Sequence, residues 1–348
     1  MRAFLAQQNF NQLLLLLTFL LNVSCSANTV HSTNKAERNA KAIVVQGQEQ
    51  GREGGENSQN LSSTPSQESV SGASVQRVLK KQMTQEELQK ICLKDLKSFP
   101  GQYDKNLTDE VCKNVEQLQG CFSRSGKPIY HYNRPARKPG GERILTFALT
   151  HGDEVASGAV ARGWVNRLSR IDPRNEWRVI PVLNPDGYEK KTRTNGSGVD
   201  INRNYPSHDW DDVALKWWKE KKKSDPRRYP GPSAGSEPET ECSIQHINDF
   251  KPDLIISVHT PLGVLDFDGP RLKFPVFSNL PWISLGTYPG SLGRYMWHDR
   301  HVPVMTIELK GNIEKALDKF DQLQDISGQV ALTISQDEKR RAQKSSKD

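Results

Sequence analysis

The chain has 348 residues, with 48 Lys and Arg against 41 Asp and Glu, 35% hydrophobic residues and five cysteines. That length holds one large domain or two modest ones, and the composition excludes a collagen, a coiled coil, a disulfide-knotted miniprotein and a polytopic membrane protein. The +7 formal charge is mild and the basic residues are spread along the chain, which is not a nucleic-acid-binding footprint.

The ends account for the low apolar fraction. Met1 and Arg2 precede an apolar run from Leu13 to Leu21, followed by Asn22, Val23, Ser24, Cys25, Ser26 and Ala27. An early positive charge, a short apolar stretch and small residues behind it make residues 1–27 a secretory signal. The run is shorter than the roughly 20 residues of a membrane span. Two processing routes stay open. Ser24-Cys25 resembles a lipoprotein box, although Asn22 stands where leucine is usual, and lipid on Cys25 would anchor the protein to a membrane. Alternatively, Cys25-Ser26-Ala27 serves as an ordinary cleavage site. Either way the protein is expected to be exported, to the periplasm or as a membrane-anchored lipoprotein.

Residues 28–85 are rich in Ser, Gln, Glu, Gly and Asn, and no aromatic residue occurs between Phe19 and Phe99. Such a segment cannot bury enough apolar area to offset its ordering entropy, so it reads as a flexible tether. Residues 86–122 read as a helical extension, with helical patterns at 85–96 and 109–118. All seven tryptophans lie at or after Trp164, so the folded core is expected at roughly 86–330, with its main domain at 123–330. A helix is expected from about 313 to 323, and residues 331–348 read as a charged tail. Besides Cys25, Cys92, Cys112, Cys121 and Cys242 permit two disulfides in three pairings. Cys92 and Cys112 fall in the two helical patterns, so a bridge between them would staple a helical hairpin; buried free thiols are the alternative.

Apolar, β-branched runs at 144–149, 177–183, 254–258 and 302–309 read as buried strands. Helices are expected at 155–168 and, opened by a capping box at Ser236-Glu237-Pro238-Glu239, on to about Phe250. The alternation predicts an α/β fold, a mixed, largely parallel central sheet flanked by helices. In such sheets, sites gather beyond the carboxyl ends of strands.

Four patterns fall there. His151 and Glu154, three residues apart after a strand, can reach one metal ion, and His259 ends another strand. Two imidazoles and one carboxylate are the usual protein ligands of a catalytic zinc with a free fourth position. Glu308, near the end of an apolar strand, suits a general base acting on a metal-activated water. In the glycine-rich loop at 192–206, Arg203 offers a planar fork for a carboxylate and Asn202 an amide donor, a pair fit to capture a terminal carboxylate. Any one of these alone has a bland reading, as a core histidine, an edge-strand charge or a solvated loop.

In order, His151-x-x-Glu154, Asn184-Pro185-Asp186-Gly187, Asp200-Ile201-Asn202-Arg203-Asn204, the stretch 229–240, His259 and Glu308 resemble the zinc carboxypeptidase family, the carboxypeptidase A-like metallopeptidases. The resemblance spans about 123–311. The segment around His259, Asp266, and Pro289-Gly290-Ser291-Leu292-Gly293 are especially similar to the family's murein peptide amidases, which cut between γ-D-glutamate and meso-diaminopimelate in peptidoglycan stem peptides. More distantly, the chain resembles the bacterial cell-shape carboxypeptidases of the same bond preference. The resemblance implies one zinc per chain held by His151, Glu154 and His259, with Glu308 as base and proton donor and Asn202 and Arg203 on the substrate carboxylate. It implies Arg193 at the oxyanion, although longer members carry an arginine where this chain has Lys190. It also implies Tyr288 as the mobile tyrosine that closes on substrate. Asp266 or Asp268 could pair with the ammonium of diaminopimelate. A monomer is expected. The alternatives are a zinc-dependent deacylase of small N-acyl amino acids and a non-catalytic wall-binding lipoprotein.

Overall fold

A computed structural model describes residues 82–277, 280–311 and 319–345. The signal, the lipidation at Cys25 and nearly all of the tether lie outside the described residues. Among the described residues no helix is long and apolar enough to cross a membrane.

Helix α1 (Gln85–Ser98) starts at Thr84, whose side chain accepts from the Glu87 backbone while Glu87 reaches back to the Thr84 backbone. This reciprocal cap satisfies two otherwise orphaned donors. Helix α2 (Lys105–Lys113) is capped by Asp104. Cys92 of α1 and Cys112 of α2 are bonded, which is the stapled hairpin expected. A second disulfide joins Cys121 to Cys242.

The sheet has seven strands: β1 (Val115–Glu116), β2 (His131–Arg134), β3 (Arg143–Phe147), β4 (Glu176–Ile180), β5 (Leu254–His259), β6 (Leu262–Asp268) and β7 (Val304–Lys310), in the order β1-β2-β4-β3-β5-β7-β6. β4, β3, β5 and β7 form a parallel centre. β1 and β2 flank it antiparallel on one side and β6 on the other. The parallel strands are those the apolar runs indicate. β1, β2 and β6 have short or charge-bearing sequences that carry no such run.

Side chains alternate across the sheet with a period of two. Leu254, Ile256 and Val258 therefore pack with helices α1, α2, α3 (Val155–Arg170) and α7 (Phe320–Ser345) on one face. On the other, Leu145, Phe147, Ile180 and Ile255 pack against Ile247 and Phe250 of helix α6 (Pro238–Phe250) and against Tyr205. Two further helices, α4 (Pro185–Lys190) and α5 (Leu215–Lys222), lie in the connection between β4 and α6.

Two local expectations change. α6 begins at Pro238 with Glu237 as its N-cap and no side-chain cap bond, so the expected Ser236–Glu239 box does not form. Both side chains are held elsewhere: Ser236 Oγ by Asn204 and Glu237, and Glu239 by the Arg124 backbone and Asn195. At the other end, the stretch read as a charged tail is helical as far as Ser345. Leu323, Ser327, Val330, Ala331 and Ile334 are buried at spacings that put them on one helical face, and the Trp164 indole donates to the Phe320 carbonyl at 2.7 Å. The charged residues from Asp337 onward extend a helix that is already docked.

Ile334→Ala should therefore cost about 2–4 kcal/mol, the usual penalty for emptying a buried aliphatic site. Urea unfolding checks this: the midpoint should fall with an unchanged slope, whereas an undocked tail would leave the midpoint where it was.

Candidate active site

The site is assembled by strand register. β5 and β7 run parallel with His259 opposite Glu308 and Ser257 opposite Thr306. β6 lies antiparallel on β7 with Val264 opposite Glu308, Asp266 opposite Thr306 and Asp268 opposite Val304. Paired residues point to the same face. Ser257, His259, Val304, Thr306, Glu308, Asp266 and Asp268 thus line one cavity of about 300 Å³, and the connecting loops bring His151, Arg193, Asn202, Arg203, Arg228 and Tyr288 to its walls.

His151 and Glu154 occupy the tight turn between β3 and α3. A Cβ on Gly152 would fall 1.9 Å from the Gly187 carbonyl carbon, so only glycine lets this turn sit on the Asn184-Pro185-Asp186-Gly187 backbone. Asn184 then ties the two together: it caps α4 by accepting from the Gly187 N–H and donates to the Thr150 and Arg193 carbonyls.

The donor atoms of His151, Glu154 and His259 lie within 4.8 Å of one another, and all three residues are buried. Glu154 Oε1 is 2.8 Å from His151 Nδ1 and Oε2 is 2.9 Å from His259 Nδ1. The two Nδ1 atoms face each other at 3.1 Å. The far nitrogens are held from behind, His151 Nε2 by Asp200 at 3.1 Å and His259 Nε2 by the Ser257 hydroxyl at 2.8 Å. Imidazoles anchored through one nitrogen, with the other aimed at a shared point beside a carboxylate, are the donor set of a metal such as zinc, and the residues present fit that ion. Burial raises the pKa of Glu154, but the adjacent His151 and His259 outweigh it and hold the carboxyl well below its usual range.

Asp200, fully buried, is the residue whose role the sequence did not disclose. Its Oδ1 accepts from His151 and from the Asn202 N–H, and its Oδ2 takes the Arg193 Nε at 3.0 Å. Arg193 Nη1 also lies 3.6 Å from Glu154 Oε1. Arg193 is thus in the cavity beside the donor cluster, whereas Lys190 is exposed at the end of α4.

Arg203 is buried, its Nη1 donates to the Asn202 carbonyl at 2.6 Å, and its Nε has no protein partner. An always-charged guanidinium kept dry with a free donor is built for an anion. Asn202 sits beside it, its Oδ1 accepting from the Leu292 N–H. Tyr288 lies over Arg203, 4.7 Å from ring centre to guanidinium, and packs on Trp217. On the strands that line the cavity, burial raises the carboxyls of Glu308 and Asp266. Burial, and then the charge of Asp266, push Asp268 up to about 7. A Cβ on Gly293 would fall 1.9 Å from Asp268 Oδ2, so that glycine makes room for the carboxylate. Every sequence-predicted site residue except Glu154 lines this cavity, and Glu154 lies against it through both histidines. Arg228 was missed, since one arginine in a basic stretch carries no signal.

Residues 113–265 match the zinc carboxypeptidase family. The chain is 29% identical over 211 residues to murein peptide amidase A of Vibrio campbellii, spanning 56% of this chain and 82% of the relative. It is 32% identical over 143 residues to murein peptide amidase A of Escherichia coli K12, spanning 40% of this chain and 57% of that relative. It shares its fold with carboxypeptidase A of Helicoverpa armigera, at a TM-score of 0.50 and 17% identity, covering 71% of this chain and 80% of the other. Over residues 113–265 the chain is thus similar to the zinc carboxypeptidases, and it is a hydrolytic enzyme.

Proposed function

We propose that the protein hydrolyses peptidoglycan stem peptides, at the bond between γ-D-glutamate and meso-diaminopimelate. The observation that carries this reading is the charge of the cavity lining: Arg193 and Arg228 lie near enough to act on the Arg203 guanidinium, Asp266 and Asp268 neighbour each other on β6, and His151, His259 and Glu308 line the same cavity. Diaminopimelate has two carboxylates and an ammonium beyond the scissile nitrogen, which this cavity matches. The name of the two murein peptide amidase relatives supports the same substrate class. A deacylase would share Asn202 and Arg203 but has no use for acidic residues deep in the pocket.

When bound at His151, Glu154 and His259, zinc supplies Lewis acidity toward a water and the scissile carbonyl. Arg203 and Asn202 hold the substrate carboxylate and so fix the reacting carbonyl. Glu308, its proton affinity raised by burial, takes the proton of the attacking water and returns it to the leaving nitrogen. Arg193 adds a preorganised positive charge where the oxyanion develops, a contribution of about 3–4 kcal/mol for one such donor. Tyr288 covers Arg203 and screens the bound carboxylate from water. Export is part of the proposal; it rests on the apolar run from Leu13 to Leu21 and on two disulfides, which persist in oxidising compartments.

Mass spectrometry of digested muropeptides tests the reading. The wild-type protein should release free diaminopimelate and leave fragments ending in D-glutamate, and a chelator should stop it. Glu308→Gln should keep its zinc and lose about 10²- to 10⁴-fold in turnover; zinc with near-normal release in that variant would refute the assignment.

Asp266→Ala should lower kcat/KM about 10- to 100-fold on diaminopimelate-ended peptides, the scale of a lost charge-assisted bond, and far less on peptides ending in a neutral amino acid. Equal losses would remove the specificity claim.

Below pH about 7 Asp268 takes up a proton and can no longer pair with an ammonium. KM for diaminopimelate-ended peptides should therefore rise on acidification through that range, and Asp268→Asn should flatten the rise.

A further inference from the structure

Away from the active site, Cys121 and Cys242 are buried and joined by a disulfide, their Cα atoms 5.0 Å apart. His246 lies one helical turn beyond Cys242 on α6. A nitrogen of its ring and the two sulfurs all lie within 4.8 Å of one another. The ring is fully buried, and neither nitrogen has a hydrogen-bond partner. His131 of β2 meets it edge-on with ring centres 4.8 Å apart, and His131 Nδ1 is also buried without a partner.

Nearly all buried polar atoms in proteins find a partner, and exceptions often mark an ion or a redox role. Both His246 ring nitrogens are buried without a partner, so the ring has a lone pair to offer. Two sulfurs and an imidazole in one closed pocket are the donors of a structural zinc site. With Zn–S of about 2.3 Å, a tetrahedral site needs its two sulfurs about 3.8 Å apart. Once the disulfide is open, rotation about the two Cα–Cβ bonds can supply that separation.

We infer that reduction of the Cys121–Cys242 disulfide opens a second metal site, in which both thiolates and the His246 imidazole bind zinc or a similar soft divalent cation, with Gln245 Oε1, 3.4 Å from Cys121 Sγ, or His131 Nδ1 as the fourth donor. A dithiol supplies two electrons and two protons: the S–S bond breaks, two S–H groups form, and the dithiol becomes a disulfide. Metal binding then displaces both thiol protons and forms two metal–sulfur bonds and one metal–nitrogen bond. The oxidised and metal-bound states are alternative cross-links between the same two segments. In both, the loop before β2 stays tied to α6, whose first turn carries Glu239 and is entered through Glu237. Both glutamates accept from Asn195 of the catalytic loop. The cross-link thus supports the active site whichever state it is in.

Cobalt(II) titration of the metal-stripped full chain, oxidised and phosphine-reduced, tests the inference. The oxidised protein should bind one cobalt with no sulfur-to-cobalt charge-transfer band, because the catalytic donors are nitrogen and oxygen. The reduced protein should bind a second cobalt with that band and stay folded by circular dichroism. Cys121→Ser with Cys242→Ser should lose the second cobalt, and His246→Asn should weaken it at least tenfold while leaving the catalytic cobalt in place. A second cobalt without the band, an undiminished affinity in His246→Asn, one cobalt in both redox states, or unfolding of the reduced chain in cobalt would each overturn it.

Discussion

The active site depends on one buried carboxylate, Asp200. It is the shared partner of His151, Arg193 and the backbone of the loop that presents Asn202 and Arg203. A fully buried acid is costly unless its charge is compensated, and burial alone would raise its pKa. Arg193 and His151 more than reverse this and hold the group ionised well below its usual range. The charge thus fixes the His151 ring with one nitrogen turned to the metal position, and keeps Arg193 from collapsing fully onto Glu154. The carboxylate behind a ligand histidine sets its tautomer and basicity. Here the same carboxylate also joins the metal donors to the groups that receive the substrate.

The sheet supplies the second constraint. In a parallel pair the register is strict, because a slip of one residue would turn Ser257, His259, Thr306 and Glu308 toward the helices and bring Ile256, Val258, Met305 and Ile307 into the cavity. The apolar packing of α1, α3 and α7 against one face therefore places the chemistry on the other. Core and site are two readings of the same alternation, and the free energy that fixes the site comes mainly from aliphatic burial far from it.

What could be read from the sequence follows from this. His151 with Glu154, His259 and Glu308 were legible because each pairs a strand end with a residue type rare there, and Arg203 with Asn202 because the loop around them is dense in amides and glycine. The four central strands were legible as apolar runs. β1, β2 and β6 were not: a two-residue strand has no periodicity, and β6 carries Asp266 and Asp268 on the face a sequence reading expects to be apolar. The capping-box pattern at 236–239 misled because a tertiary partner outcompeted a local one. Asn204 and Asn195 offer Ser236 and Glu239 buried amide donors, which a helix end exposed to water cannot match. The end of α7 was hidden in the same way, since charge density after Asp337 looks like a tail unless the burial of Val330 and Ile334 is known.

The cavity's charges show why so many ionisable groups can share about 300 Å³. Three guanidiniums and three carboxylates interleaved would neutralise each other and leave nothing for a ligand. Here the two signs come from different elements: the carboxylates of Asp266, Asp268 and Glu308 from adjacent strands, and the guanidiniums from the segments that connect β4 to α6. Burial, and then the charge of Asp266, push Asp268 up to about 7. On the proposed reading, a substrate with carboxylate and ammonium at fixed spacing would satisfy both Arg203 and the strand carboxylates, while one with either charge alone would leave the other set desolvated. That asymmetry is a stronger source of discrimination than apolar contact, because an unmatched buried polar group costs more than a missing methylene.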